Sequence, residues 1–463
     1  MDNLLEIVKS INGVLWGPPM MLLLTGTGVY MTVRLRGVQI RKIGTAFSQT
    51  FGGMFKKKED NDDGVSSFAS LATAIAAQVG TGNLAGVATA IAAGGPGAIF
   101  WMWISGFFGM ATIFSEAVVS QQFTVVEDGQ KIGGPAYYIK GAIKNKFFGT
   151  FLSVFFAVAI ILALGLMGSV VQANSIAAAA NTAFGIPKVA VGVFVAIIVL
   201  LIVVGGVKRI TSIAEKVVPI MALFYIIGCI IIITGNSSHI GSALSSIFTN
   251  AFSPASAAGG FAGAAVKVAV QKGIARGLFS NEAGMGSTPH AHALANVDHP
   301  VQQGLVATLG VVIDTGIVCT MTAMVILTSG VLESGLDGAE LTQAAFTQGF
   351  GSFGSSFIAI CLFFFALTTI IGWYFFGETN VKFLFKKKGL IPYRILVTVL
   401  LIVGSTLKVS LVWEMADMFN ALMILPNLIG LLALSGLVVK ILKDYEQNFV
   451  KNLPSEYEKN KAK

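Results

Sequence analysis

Charge is what this sequence has least of. Only 12% of its 463 residues are Asp, Glu, Lys or Arg, about half the ~25% usual in a soluble domain. Apolar residues make up 54%, and mean hydropathy is +0.78. So thin a polar coat excludes a water-soluble enzyme and a disordered chain. Cysteine is scarce as well. Cys229, Cys319 and Cys361 all lie in apolar runs, where a thiol behaves as a small hydrophobe, so neither a disulfide scaffold nor a cysteine metal site is expected. Linker composition is missing too, although a soluble chain of this length would divide into about three domains. No small-residue cleavage pattern follows MDNLLEIVKS, so no removable signal peptide is expected.

What fills the sequence instead is apolar runs of twenty residues or more. A hydrocarbon core of ~30 Å takes about 20 helical residues to cross, more with tilt. Period-2 alternation, the mark of a membrane β-barrel, does not appear. The fold class is therefore all-α and polytopic, with eleven spans expected at 14–33, 66–93, 97–123, 147–180, 188–207, 213–235, 258–280, 301–330, 346–380, 393–412 and 416–439. Two of these, 147–180 and 346–380, are longer than a straight crossing needs and imply steep tilt or an extension beyond the membrane.

The sparse charges test that count. If 34–65 is cytoplasmic, alternation places 25 of the 31 Lys and Arg residues on that side. Only Lys9, Lys188 and Lys408 fall opposite, and three more lie within the seventh span. A span missed or invented midway would scramble this sorting. The positive-inside rule then puts the N-terminus outside and the C-terminus inside a cell membrane. The net charge of +8 thus reports topology, and no nucleic-acid partner is expected. The triple lysines Lys56, Lys57, Lys58 and Lys386, Lys387, Lys388 read as topology anchors, with charge that also suits anionic lipid. One span plus ten divides the chain into an N-terminal helix and basic loop (1–65), a five-helix unit (66–235), an outer connection (236–257), a second unit (258–440) and a tail (441–463). The two units enter the membrane from opposite sides, the arrangement of an inverted-repeat transporter.

Each unit opens with a helix rich in glycine. In the first, Gln78-Val79-Gly80-Thr81-Gly82-Asn83 stands mid-span, where each glycine costs ~1 kcal/mol against alanine. Local unwinding would free amides at Thr81 and Gly82 for an anion and carbonyls from Ala76 to Val79 for a hard cation. Close packing of small residues is the competing explanation. In the second, Gly259 to Gly277 holds Lys267, Lys272 and Arg276 within a nominal span. Here Arg276 and Glu282 suggest a gate salt bridge or snorkelling at an inner vestibule, and Gln271 and Gly273 are pocket candidates.

Thr368 and Thr369 in the ninth span either bond back to the preceding turn or add hydroxyl oxygens to a cation site, with Trp373 closing a small pocket. Among intramembrane acids Asp314 lies deepest and serves a broken helix end or a second cation, whereas Glu116 reads as structural. His290, His292, Asp298 and His299 lack the i, i+4 spacing of a helical zinc pair and read as a packed loop. No Walker loop or soluble nucleotide-binding unit is present, so any coupled work would draw on an ion gradient. A channel lacks a filter-like repeat, and no paired acids or Ser/His pair support an intramembrane enzyme.

The run Gly94-Gly-Pro-Gly-Ala-Ile-Phe-Trp101-Met102-Trp103-Ile-Ser-Gly-Phe-Phe-Gly109-Met110 resembles the signature of the alanine/glycine:cation symporter family, the sodium:alanine symporters. QVGTGNLAGVATAI and GIARGLFSNEAGMGS are similar to that family too, and the likeness spans the chain. The resemblance implies membership of the amino acid–polyamine–cation superfamily and a leucine-transporter-type fold of five plus five helices behind one extra helix. It implies alanine or glycine as substrate and Na+ as coupling ion, with no organic cofactor. Carried over by position, the amides of Thr81 and Gly82 hold the substrate carboxylate, beside Gln78. Carbonyls of Ala76, Val79 and Phe365 with hydroxyls of Thr368 and Thr369 hold sodium, and Thr369 also lies near the substrate amine. Gln172 and Trp373 join the substrate site, and Phe279 or Trp373 occludes it. Ala77 and Gln78 depart from the pair found in the wider fold, and Asp314 stands where an amide would serve a second sodium.

Overall fold

A computed structural model describes residues 2–52, 64–127, 129–252, 262–407 and 409–459, most of them helical. Among the described residues, six helical runs are long and apolar enough to cross a bilayer, or eight when each of two bent pairs counts as one span. The strands among them form one small hairpin, Val125–Glu127 with Gln130–Ile132.

The chain begins with a helix that lies almost wholly ahead of the first expected span, 14–33. This α1 (Asp2–Leu15) meets α2 (Pro18–Arg34) at a 44° bend. Pro18 and Pro19 explain it: proline suits the first turn of α2 but lacks the N–H that would continue α1. The expected break then appears. α3 (Ser67–Gln78) starts where Ser66 Oγ accepts the Ala69 amide at 3.0 Å, and at Val79 the backbone turns extended. Helical geometry resumes in a π turn over Gly82–Gly86 and continues as α4 (Val87–Gly94), with the two halves at 55°.

α5 (Gly97–Gln122) follows, and α6 (Lys146–Phe184) fills the overlong fourth span as a 39-residue run whose middle, Ile161–Gly168, is π-helical. α7 (Lys188–Val203) is apolar but only 16 residues long, and α8 (Gly206–Gly235) follows it.

The chain after residue 258 departs from the expected spans. α9 (Ala262–Asn281) runs unbroken past Gly273 and Gly277, while Gly259 lies outside the described residues. Its interruption comes later, where Glu282, Gly284 and Gly286 take positive φ before the short helix Pro289–His292. The segment read as a packed loop is deeply packed: every residue from Asn281 to Ala295 is buried. α10 (Pro300–Ser329) carries a π stretch at Val312–Cys319. The ninth span is two helices, α11 (Gly338–Phe350) and α12 (Phe353–Phe385). Gly351, at φ 62° and ψ −146°, takes a conformation that side chains resist and so ends α11. α13 (Leu390–Gly404), α14 (Val409–Ala433) and α15 (Ser435–Gln447) complete the chain.

Several of the loops assigned to one side by charge contact one another. Arg41 pairs with Glu446 at 3.0 Å, Lys386 with Glu127 at 3.6 Å, and Lys131 Nζ donates to Asn296 Oδ1 at 2.7 Å. Lys56, Lys57 and Lys58 lie outside the described residues.

Candidate functional site

Breaking α3 redirects its backbone donors. The Gly80 amide goes to Asn83 Oδ1 at 2.8 Å and the Thr81 amide to Gln172 Oε1 at 3.3 Å, instead of to the helical acceptors Ala76 and Ala77. Gln172 on α6 also gives Nε2 to Thr81 Oγ1 at 3.0 Å. One Gln172 side chain thereby serves both the amide and the hydroxyl of Thr81.

From α12, Thr369 Oγ1 stands 3.2 Å from the Val79 carbonyl and 2.9 Å from that of Phe365. Thr368 Oγ1 turns back on its own helix, donating to Phe365 O at 2.9 Å and Phe364 O at 3.0 Å. Thr369 thus brings Val79 and Phe365 together, Thr368 shares the Phe365 carbonyl, and Ala76 is buried one turn before Val79. This donor set is neutral and all oxygen, which suits a sodium ion. The approach is close enough to demand glycine: a Cβ added at Gly80 would sit 2.5 Å from Thr369 Oγ1.

A second polar knot joins both breaks. Asp314, in the π stretch of α10, accepts from Ser280 Oγ at 3.0 Å, Thr315 Oγ1 at 2.8 Å and Asn83 Nδ2. Cys319 Sγ lies 3.4 Å from Asn83 Nδ2, and Gln78 Nε2 donates to the Asn281 carbonyl at 2.6 Å. Asp314 therefore ties the broken α3–α4 pair to the end of α9. Ser280 and Asn281 were not singled out from sequence, although both stand in the motif GIARGLFSNEAGMGS.

The remaining acids hold the second break. Glu116 accepts the Gly284 and Gly286 amides, both at 3.2 Å, and Asn427 Nδ2 at 2.6 Å, which is the structural role expected of it. Glu282 accepts Trp373 Nε1 at 2.6 Å and Ser287 Oγ at 2.5 Å. The proposed Arg276–Glu282 bridge is absent from these contacts. Arg276 faces Asp417 of α14 at 3.7 Å instead, because the turn after Asn281 carries Glu282 inward while Arg276 stays on the far face of α9.

Three further assignments shift with it. Arg276 packs toward Gly86, on the α4 side of the break, away from the basic end, so it lines no inner vestibule. Gln271 lines the same cavity as Arg276 rather than the break at Thr81. Gly273 is a packing residue whose added Cβ would strike the Ala98 carbonyl of α5. Phe279, by contrast, lies beside the break, 3.5 Å from a Cβ built on Gly82. Trp373 packs on Gly168 of α6, one turn from the Gln172 contact, so α6 and α12 face each other in a consistent register.

The sodium:alanine symporter family model matches residues 1–459. The chain belongs to this family. The sodium/alanine symporter AgcS of Methanococcus maripaludis is 40% identical over 459 residues, covering 97% of this chain and all of that one. The probable sodium/glutamine symporter GlnT of Bacillus subtilis is 41% identical over 448 residues, covering 96% and 91%. The putative sodium/proton-dependent alanine carrier protein YrbD of the same organism is 40% identical over 460 residues, covering 96% and 92%. Among solved structures, a manganese transporter of Eremococcus coleocola shares the fold, with a TM-score of 0.53 at 14% identity over 87% of this chain and 91% of that one. A sodium:alanine symporter family protein is a multi-pass membrane transporter and not an enzyme.

Proposed function

We propose that this protein takes up a small neutral amino acid, alanine or glycine, together with sodium by alternating access across the cell membrane. The observation that carries the reading is Thr369 Oγ1 bridging the carbonyls of Val79 and Phe365 at 3.2 and 2.9 Å. A sodium ion at that point ties the unwound helix to α12, with Ala76 and Thr368 completing its oxygens. The amino acid carboxylate displaces the Gln172 carbonyl from the Thr81 amide and takes the Gly82 amide beside it. Phe279 and Trp373 form the walls, and their bulk favours alanine over glutamine, the substrate in the name of one relative. Serine is the nearest alternative by size.

The topology belongs to the same reading. Eleven spans follow if α7 and α9 each cross in addition to the eight runs above, and if the run Phe353–Gly404 counts as two spans, α12 and α13. Spans two to eleven then form units 66–235 and 258–440 in opposite orientation, each opening with a broken helix. The basic end faces the cytoplasm, the N-terminus lies outside, and Lys386, Lys387 and Lys388 meet anionic lipid there.

A second coupling ion is favoured by Asp314, whose hydrogen-bond donors Asn83, Ser280 and Thr315 are all neutral. A buried carboxyl so placed calls for a proton or a cation, and one relative's name includes proton dependence. Equilibrium binding of alanine, glycine, serine and glutamine to the purified full chain, with and without sodium, tests the proposal. Sodium is expected to raise alanine affinity at least severalfold. Alanine binding indifferent to sodium, or preference for glutamine, contradicts it.

A further inference from the structure

A cavity of about 270 Å³ lies on the far side of Phe279 from the break at Gly82. Its walls carry opposite charges in facing pairs. α9 contributes Lys272 and Arg276, one helical turn apart, and α14 contributes Glu414 and Asp417, also one turn apart. The two sets are only loosely joined: Arg276 and Asp417 approach to 3.7 Å. The third wall is the N-terminal helix, which adds a third cation, Lys9, to the lining. Asn12 Nδ2 donates to the carboxylate and the backbone carbonyl of Glu414, at 2.6 and 2.8 Å, which leaves Asn12 Oδ1 buried and without a partner. Trp16 Nε1 donates to the Asp417 carbonyl at 2.9 Å, fixing the helix end on α14.

A cavity with a cationic wall, an anionic wall and an unmet acceptor selects for one class of solute. An anion is repelled by Glu414 and Asp417, a cation by Lys272 and Arg276, while a zwitterion satisfies both walls at once. The floor is the ring of Phe279, with Arg276 5.9 Å and Trp413 5.9 Å from it. Beneath that ring lie Gly82 and Ser280.

We propose that this cavity is a second, outer binding site for the zwitterionic amino acid. The carboxylate lies against Lys272 and Arg276 and the ammonium against Glu414 and Asp417, until Phe279 yields and the molecule descends to Thr81 and Gly82. The inference rests on the transport reading above and adds a staging site to it, built in part by α1.

Gly13 offers a reporter: it lines the cavity and has nothing within 4 Å of an added Cβ, while Cys229, Cys319 and Cys361 are buried. The full chain carrying Gly13→Cys, reconstituted in nanodiscs, is labelled with a charged thiosulfonate in sodium-free buffer. Alanine is expected to slow labelling severalfold, and to do so equally when Thr369→Val disables the central site. Adding Lys272→Gln with Glu414→Gln is expected to abolish protection, with size-exclusion profiles confirming that these variants fold. Protection that vanishes with Thr369→Val alone assigns the effect to the central site and overturns the outer one. Alanine that is transported yet leaves labelling unchanged overturns the outer site only. Alanine that is neither transported nor protective overturns it together with the transport reading.

Discussion

Thr369 matters through one hydroxyl placed between two helices, and the residue facing it is Gly80. A methyl group on Gly80 would stand 2.5 Å from Thr369 Oγ1 and 3.3 Å from Gln172 Oε1. Overpacking of this kind costs about 1–3 kcal/mol. Gly80→Ala is therefore expected to cut sodium-stimulated alanine binding by about tenfold or more, ~1.4 kcal/mol, as read by isothermal titration. Unchanged affinity would mean that the break is not the site. Glu116 tests stability instead, since Gly284, Gly286 and Asn427 all donate to it. Glu116→Leu strands three buried donors at roughly 1–3 kcal/mol each, whereas Glu116→Gln keeps an acceptor. Thermal unfolding in detergent should fall steeply for leucine and modestly for glutamine. Residue partners were the part least legible in sequence. Arg276 and Glu282 are near neighbours along the chain, yet their contacts are Asp417 and Trp373, which only the folded arrangement of α9, α12 and α14 brings within reach.

At the scale of elements, breaks in helices position the site. The break in α3 was legible because two glycines and three polar residues mid-span make a continuous helix expensive. The same reasoning marked the second stretch, from Gly259 to Gly284, but not which of its glycines interrupt the helix. Gly273 and Gly277 serve close packing on α5, against Ala98 and Ser105, and small residues at a helix interface carry the same composition as an unwound turn. The joint between α11 and α12 escaped notice for a different reason. Phe350 and Phe353 flank Gly351, so hydropathy stays high across the turn. The π stretch of α6 has its own consequence: it sets Gly168 where a Cβ would meet the Trp373 ring at 2.6 Å. Gly168→Ala is expected to push Trp373 off Glu282 and weaken alanine binding severalfold without changing sodium affinity at Thr369. An unaltered alanine isotherm would remove Trp373 from the pocket wall.

Across the whole molecule, the basic end is closed by the tail. Lys459 donates its amide to the Asp298 carbonyl at 2.8 Å and its Nζ to the Gln121 carbonyl at 2.6 Å. His299 Nε2 meets Asp444 at 3.2 Å, and Asn448 Nδ2 adds a bond to the same carboxylate at 2.6 Å. Burial lowers the His299 pKa below its ordinary value of 6.5, against the opposing pull of Asp444 and Glu458, with Lys459 reinforcing it. For Asp444, burial alone would raise the pKa, but hydrogen bonds from Ser455, Asn448 and His299 outweigh it and hold the group below 3.8. Both groups bind fewer protons folded than unfolded. The His299 contribution is thus complete above about pH 6.5 and fades as pH falls through its folded value, and that of Asp444 fades in stronger acid. Limited proteolysis of the tail should be faster at about pH 5 than at about pH 8, and His299→Gln should flatten the difference. A pH-independent cleavage rate contradicts this clasp.

The charge sorting that framed the sequence finds its counterpart here, since Arg41, Lys131, Lys386 and Lys459 all meet partners in or beside segments assigned to the same side. What composition left open was what the transporter's central oxygens bind. Alanine uptake into proteoliposomes under an inward sodium gradient decides it, with the unaltered chain compared against Thr369→Val and Thr369→Ser. The account predicts sodium-driven accumulation in the unaltered chain, retained with serine and lost with valine. Uptake indifferent to sodium, or sodium dependence that survives in Thr369→Val, would contradict it.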